Sequence, residues 1–256
     1  MQVVIFCGGK GTRLAEQTEF RPKPLIEVGE APILVHIMEI YAKYGFKDFI
    51  LCLGYKGDAI KQYFLNYQFT HDFTLNLGNK STKIHNHSPI HDWNITFANT
   101  GLNNQTGSRL KQVEKYITDE NFFVTYGDGV ADINIQELLE FHLSHGKTAT
   151  VTTVRPFTRF GNLQLDSGNL VRDFSKDKMI HEGWIDGGFF IFNKNVFKYL
   201  SEDPSSMLEK EPLQKLAKDG EFVAYKHRGF WQCMDTQRDY EYLNQLWNSG
   251  ERPWKQ

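Results

Sequence analysis

The chain has 256 residues, 40% of them hydrophobic and 23% charged, which is enough to bury one substantial core and excludes a disordered or fibrous protein. A formal net charge of -2 gives no electrostatic reason to expect a polyanionic partner, so nucleic-acid binding is disfavoured. Cys7, Cys52 and Cys233 are odd in number and form no C-x-x-C pair, so neither a disulfide framework nor a structural zinc site is indicated, and a reducing, cytoplasmic setting is expected.

The first apolar run, Val3–Cys7, stops at Gly8-Gly9 and has no basic leader; it is too short for a signal peptide or a membrane span and reads as a strand. Similar β-branched or aromatic runs follow at Phe49–Leu53, Ile95–Asn99, Phe122–Tyr126, Ala149–Val154, Phe189–Phe192 and Phe222–Tyr225. Between many of them lie amphipathic segments, clearest at Ile33–Tyr44, Asp58–Tyr67, Ser108–Ile117, Ile135–His145 and Thr236–Trp247, with Gly45 and Gly146 marking two helix ends. This alternation predicts a three-layer α/β fold, a mostly parallel sheet covered by helices on both faces. One domain spanning 1–256 is expected, because no linker, repeat or low-complexity tract interrupts it. The polar, weakly patterned segment Asn76–Trp93 reads as a loop or flap. In an open sheet of this kind ligands sit outside the carboxyl ends of the strands, which directs attention to the residues after Cys7, Tyr126 and Phe192.

The first of these places is Gly8-Gly9-Lys10-Gly11-Thr12-Arg13-Leu14. Three glycines in four positions let backbone amides face a phosphate chain, and a triphosphate cradle is the natural reading. The spacing is not that of a Walker loop, and the dinucleotide fingerprint would need a glycine where Leu14 stands, which makes a nicotinamide-dependent dehydrogenase remote. Next comes Arg21-Pro22-Lys23-Pro24-Leu25, whose prolines fix the backbone around a lysine suited to stabilising charge on a transferring phosphoryl group. The run Phe122–Asp132 is a buried strand ending at Asp128 between two glycines, which places a carboxylate at the productive sheet edge. Magnesium takes one or two such ligands from protein and the rest from phosphates and water. Asp235, between an aromatic-rich strand and the last helix, can supply the second; read alone it could equally be a helix N-cap.

The order G-G-K-G-T-R-L, R-P-K-P-L, T-Y-G-D-G-V-A-D, D-G-G-F-F-I-F-N and G-F-W-Q-C-M-D-T resembles the sugar-1-phosphate nucleotidyltransferases, over essentially the whole chain. The resemblance implies a Rossmann-like, GT-A-like fold with a nucleotide-binding half at about 1–130 and a sugar-binding half at about 131–256. It implies transfer of a nucleoside monophosphate to a sugar 1-phosphate by in-line attack on the α-phosphate, with Mg2+ as cofactor and no covalent enzyme intermediate. Gly8, Gly9, Gly11, Thr12 and Arg13 would hold the triphosphate, Arg13 and Lys23 would offset charge at the α-phosphate, and Asp128 and Asp235 would carry the metal. The base would be recognised near Gly101 and by Thr106-Gly107-Ser108-Arg109, a segment closer to the cytidylyl-transferring members, so CTP is the expected nucleotide and glucose 1-phosphate the expected acceptor. Asp186, Gly187 and Gly188 would approach the sugar hydroxyls, with Tyr126 and Trp231 as walls of that pocket. The resemblance also implies a homo-oligomer, a trimer or hexamer, with no membrane partner.

One stretch departs from the family pattern. Where members carry a glutamate-lysine-proline triplet, this chain reads Phe174-Ser175-Lys176-Asp177-Lys178. Lys176 or Lys178 is then expected to reach the sugar phosphate, while Asp177 would repel it. Two rivals stay open on that ground: the same chemistry with another acceptor or with UTP or dTTP, and a non-catalytic relative that only binds a nucleotide sugar. His85, His87 and His91 beside Asp92 read as a polar loop rather than a metal site, Lys111 and Lys115 as a wet helix face, and Cys7 as a small strand-end residue.

Overall fold

All seven expected runs pair into a single sheet; the five inner strands are largely buried on both faces and the two edge strands only in part. A computed structural model describes residues 1–70, 72–85, 92–155, 162–165, 170–175 and 183–255. The strands are β1 (Gln2–Cys7), β2 (Asp48–Leu53), β3 (Asn94–Asn99), β4 (Asn121–Tyr126), β5 (Ala149–Val154), β6 (Ile185–Asn193) and β7 (Phe222–Lys226), in the spatial order β7-β5-β6-β4-β1-β2-β3. β1 runs parallel to β2 and β4, β2 to β3, and β5 to β7.

β6 departs from that pattern and lies antiparallel to both β4 and β5, with Phe189 opposite Thr125 and Asn193 opposite Asn121. The residues after Phe192 therefore lie on the edge away from the carboxyl ends of β1 and β4, which corrects the expectation that they would flank the site. The start of β6, Asp186-Gly187-Gly188, lies there instead. Parallel pairing would need a crossover returning the chain to the other edge. The described residues between β5 and β6 hold only an antiparallel pair, Asn162–Leu165 with Val171–Ser175, and the chain re-enters from the edge at which it left.

The helices are α1 (Ala15–Thr18), α2 (Ile33–Ala42), α3 (Gly57–Leu65), α4 (Thr106–Gln112), α5 (Ile135–His145), α6 (Glu211–Lys218) and α7 (Gln237–Ser249). Along β1 the side chains alternate: Val3, Ile5 and Cys7 pack with Leu34, Ile37 and Met38 of α2 and with Leu243 and Trp247 of α7, while Val4 and Phe6 face Leu110 of α4 and Leu216 of α6. This sandwich is the expected three-layer arrangement. α4 stops earlier than its apolar spacing suggests and passes into a short tight turn at Glu114–Tyr116. α6, absent from the sequence reading, does carry Pro212, Leu213 and Leu216 on one face, but it is only eight residues long and buries just Pro212 and Leu216. Within the segment read as a loop, Ser81–Ile84 pairs with Phe73–Asn76 in a hairpin whose residues are almost all exposed, and such a hairpin needs no apolar alternation. Among the described residues no helix is long and apolar enough to cross a membrane.

α5 carries a buried polar feature remote from the strand ends discussed below. His142 bonds Thr150 Oγ1 at 2.8 Å and Asn121 Oδ1 at 3.1 Å, and His145 reaches the same Thr150 hydroxyl at 2.8 Å. Burial, and then neighbouring His145, pushes His142 down to about 4. The unfolded chain takes up a proton near the ordinary histidine value while the folded chain resists it. Stability should therefore fall as pH drops from about 6.5 towards 4, by about 2 kcal/mol at pH 5. Melting temperatures across that window should fall more steeply for the parent chain than for His142→Gln; parallel profiles would assign the acid sensitivity elsewhere.

Candidate active site

Each chemically important side chain is placed at the carboxyl-end edge of the sheet by its own local device. Pro22, at φ -67° and ψ 147°, leads into a tight turn over Lys23–Leu25, in which Leu25 N–H donates to Pro22 O at 2.8 Å. Pro24 and Leu25 are buried, so the turn is anchored and Lys23 is aimed inward rather than into solvent. Asp128 follows β4 in a turn closed by Met234 N–H donating to Asp128 O at 2.8 Å. Gly127 is required there, because a Cβ would stand 2.8 Å from Phe6 O. The short strand Trp231–Cys233 pairs with Gly129–Ala131 and carries the chain back past Asp128 to Asp235.

The two carboxylates meet on one ammonium. Lys23 Nζ donates to Asp128 Oδ2 at 2.7 Å and to Asp235 Oδ1 at 2.6 Å, partners 105 and 212 residues away along the chain. Arg13 adds a contact to Asp235 Oδ2 at 2.9 Å. Burial works to lower the Lys23 ammonium, but the charge and hydrogen bonds of Asp128 and Asp235 outweigh it and hold it above its ordinary value. Asp235 is not the helix cap. Thr236 caps α7 in a reciprocal box with Asp239, leaving the Asp235 carboxylate free to face Lys23.

Two clefts open on either side of this triad. The first, of about 270 Å³, is lined by the glycine loop, Arg13, Lys23, Asn104, Gln105 and Thr106, with Asp128 and Asp235 at its edge. The second, of about 280 Å³, is lined by Asp186, Gly187, Gly188 and Trp231, and shares Arg13, Tyr126, Asp128 and Asp235 with the first. The two halves of the chain are thus interleaved at the site: Asp235 from the second half borders the first cleft, and Arg13 from the first borders the second.

The expected nucleotide-contact residues divide into two groups. Gly8, Gly9, Gly11, Thr12, Arg13, Lys23, Thr106, Arg109 and Asp128 all line the first cleft. Arg109 is buried rather than solvated: its guanidinium donates to Leu53 O at 3.0 Å, Thr100 Oγ1 at 2.8 Å and Gly8 O at 3.1 Å, tying together the ends of β1 and β2. Gly8 is glycine for that reason, since a Cβ would lie 2.2 Å from this guanidinium, whereas at Gly9 a Cβ would meet nothing within 4 Å. Ser108 and Gly101 are absent from the cleft wall. Ser108 is buried and donates to Glu202 O at 3.1 Å, so its hydroxyl holds a neighbouring loop instead of facing a base. Gly101, at φ +87°, makes the turn before Asn104, which does line the cleft. Asn104 and Gln105 had no distinguishing pattern in the sequence; the only local signal is their place just ahead of an arginine-bearing helix.

Beside the second cleft, Gly187 and Gly188 form a bulge where the pairing of β5 and β6 shifts register. Gly188 has φ +78°, and a Cβ on Gly187 would stand 2.9 Å from Thr152 O. The bulge turns Asp186 into the second cleft, where its carboxylate accepts from Gly188 N–H at 2.7 Å. Burial, reinforced by the charge of Glu209 and opposed by that bond, brings Asp186 up to about 6. Trp231 is held as a wall by its indole N–H, which donates to Gly187 O at 2.7 Å. Lys176, Asp177 and Lys178 lie outside the described residues, as do His87 and His91. Cys7 is buried, and burial, then Cys52 and Asp128, push its thiol up, which leaves it a packing residue. Lys111 pairs with Glu114 at 2.7 Å on the helix surface.

Known proteins similar to this chain in sequence or fold are numerous. A family model described as Nucleotidyl transferase matches residues 2–247. The glucose-1-phosphate cytidylyltransferases of Salmonella typhi and Salmonella typhimurium (strain LT2) are each 47% identical over 258 residues, covering 100% of this chain and 99% of the relative. A solved structure from Bacillus anthracis, provisionally assigned as a glucose-1-phosphate thymidylyltransferase and crystallised with a sucrose, superposes with a TM-score of 0.71 at 17% identity. That likeness covers 98% of this chain and 95% of the other, and it is a likeness of fold.

Proposed function

Because this chain belongs to the nucleotidyl transferase family, we propose that it transfers the cytidylyl group of CTP to glucose 1-phosphate, forming CDP-glucose and releasing pyrophosphate. The observation that carries this reading is the meeting of Asp128, Asp235 and Lys23 at the seam of two clefts, one with the glycine loop and one with the bulged, acid-bearing strand. A donor phosphate placed in the first cleft and an acceptor placed in the second would meet at that seam.

The residues fit a hard divalent cation. Two carboxylates converge within hydrogen-bonding distance of one point, and among the described residues no group of three or more potential metal ligands exists. That matches magnesium, which takes one or two carboxylates and completes its shell with phosphate oxygens and water. Asp128 and Asp235 would hold it, and when bound it would neutralise charge on the triphosphate.

The chain's own groups supply the remainder. The amides of Gly9 and Gly11 and the Thr12 hydroxyl bind the triphosphate, with the Arg109 brace keeping the loop's root in place. A phosphate oxygen of the acceptor attacks the α-phosphorus, a P–O bond forms, and the bond to the bridging β-oxygen breaks, so its electrons leave with pyrophosphate. Lys23 and Arg13 offset negative charge as it shifts to the leaving group. No proton need be removed from the nucleophile, because a sugar phosphate is already anionic at neutral pH.

Phosphorus NMR of the chain incubated with CTP, glucose 1-phosphate and magnesium should show CDP-glucose and pyrophosphate appearing in equal amounts. Hydrolysis of CTP to CMP without a sugar product, or no change at all, would sink this reading.

A further inference from the structure

Glu209 connects the two clefts although it lines neither. It lies just ahead of α6, in a segment docked on the start of α4: Gln105 N–H donates to Pro204 O at 2.9 Å, and Ser108 N–H to Ser206 O at 3.1 Å. Gly107 permits this approach, since a Cβ there would stand 2.8 Å from Ser206 Oγ and 2.9 Å from Ser206 O. Glu209 is thereby delivered half-buried between two cleft walls. Its Oε1 accepts from the Tyr126 hydroxyl at 2.6 Å, and its Oε2 accepts from Thr106 Oγ1, also at 2.6 Å.

Each bond has a chemical consequence. A phenol has one proton to donate, and Tyr126 gives it to Glu209, so toward the second cleft its oxygen can only accept. Thr106 gives its proton to the other carboxylate oxygen and accepts from Leu208 N–H at 2.9 Å, so its hydroxyl has no donor left for a base. Tyr126 lines both clefts, and its ring packs edgewise on Phe190 of β6 with centroids 6.1 Å apart.

We propose that Glu209 is a positioning and specificity-determining residue: it fixes the Tyr126 oxygen as a hydrogen-bond acceptor for a hydroxyl of the sugar phosphate, and locks that wall to the nucleotide cleft through Thr106. This rests on the function proposed above and adds the polarity of one contact in the acceptor pocket. Burial and then the charge of Glu209 hold the Tyr126 phenol far above its ordinary range, consistent with a proton that stays between the two.

The test is steady-state kinetics of the parent chain, Glu209→Ala, Glu209→Gln and Tyr126→Phe, using glucose 1-phosphate or whichever sugar 1-phosphate the parent chain turns over. Melting temperatures are measured alongside. For Glu209→Ala the KM for the acceptor should rise up to about tenfold, the scale of one lost hydrogen bond between a sugar hydroxyl and the neutral Tyr126 oxygen, with the KM for the nucleotide far less affected. Tyr126→Phe should raise the acceptor KM to a similar extent, because it deletes the oxygen that Glu209 aims. Glu209→Gln should recover much of the loss, since its amide oxygen can still accept from Tyr126. Both of these variants keep the side-chain volume and remain informative if the alanine variant folds poorly. Acceptor KM unchanged within twofold in folded Glu209→Ala or Tyr126→Phe would overturn the proposal. So would a loss shared equally by both substrates and not recovered by glutamine. A silent parent chain would instead strike the function proposed above.

Discussion

Lys23→Met should lower turnover by about 10³-fold while the chain still folds, the scale expected when one preorganised cation at a developing charge is removed. The lysine is only 12% exposed, and both of its short bonds go to the carboxylates that border the two clefts. Methionine keeps the length and the apolar stem but not the charge, so Asp128 and Asp235 would face each other with only the exposed Arg13 to offset them. Two consequences separate this from a general loss of structure. The variant should be less stable than the parent at neutral pH, and magnesium without substrate should raise its melting temperature more than the parent's, because a dication would relieve the same repulsion. Lys23→Arg should not restore activity, since the larger, planar guanidinium does not reproduce the compact point charge that the ammonium places at this spot. Activity within tenfold of the parent in folded Lys23→Met would remove Lys23 from the chemistry.

The second large effect is expected at the acids. Asp128→Asn and Asp235→Asn should each reduce turnover by about 10³-fold or more and raise the magnesium concentration needed for half-maximal rate, because an amide is a poorer ligand for a hard cation. Neither should unfold the chain: Lys23 keeps one carboxylate in each case, and Met234 N–H still closes the turn on the Asp128 carbonyl. The variants should differ in one respect. Asp235→Asn also releases Arg13 from its 2.9 Å contact, so its affinity for the triphosphate should change as well as its rate. Near-normal turnover by a folded Asp128→Asn protein would take that residue out of the metal site.

Much of this site could be read in the residues, for a reason visible in the fold. Strands buried on both faces declare themselves as apolar runs, as the five inner strands do; the partly buried edge strands β3 and β7 still carry enough β-branched and aromatic residues to be found. Glycine and proline at the ends of those runs marked where backbone, not side chain, does the positioning, as at Gly8–Gly11 and Pro22–Pro24. Strand direction is a different matter. The apolar run Phe189–Phe192 carries no mark of strand direction, so the antiparallel course of β6, and the placing of its beginning rather than its end at the site, depended on the connection before it. Partnerships across the chain were equally hidden. Arg109 is expected at the base, and nothing along its helix shows that its guanidinium braces the ends of β1 and β2, while Ser108 looks like a cleft residue until the 202–206 segment takes its hydroxyl. Glu209 belongs to an unremarkable charged stretch, and nothing nearby in sequence points to Tyr126 or Thr106; only the docking of that segment on α4 gives it a role.

The measurement that bears most directly on the proposed reaction is the initial rate of pyrophosphate release with glucose 1-phosphate and magnesium, supplied with CTP, UTP, dTTP or ATP in turn. Rapid release with CTP and little with the other three is the expected result. Release as fast with another triphosphate, or none with any of them, would contradict cytidylyl transfer to glucose 1-phosphate.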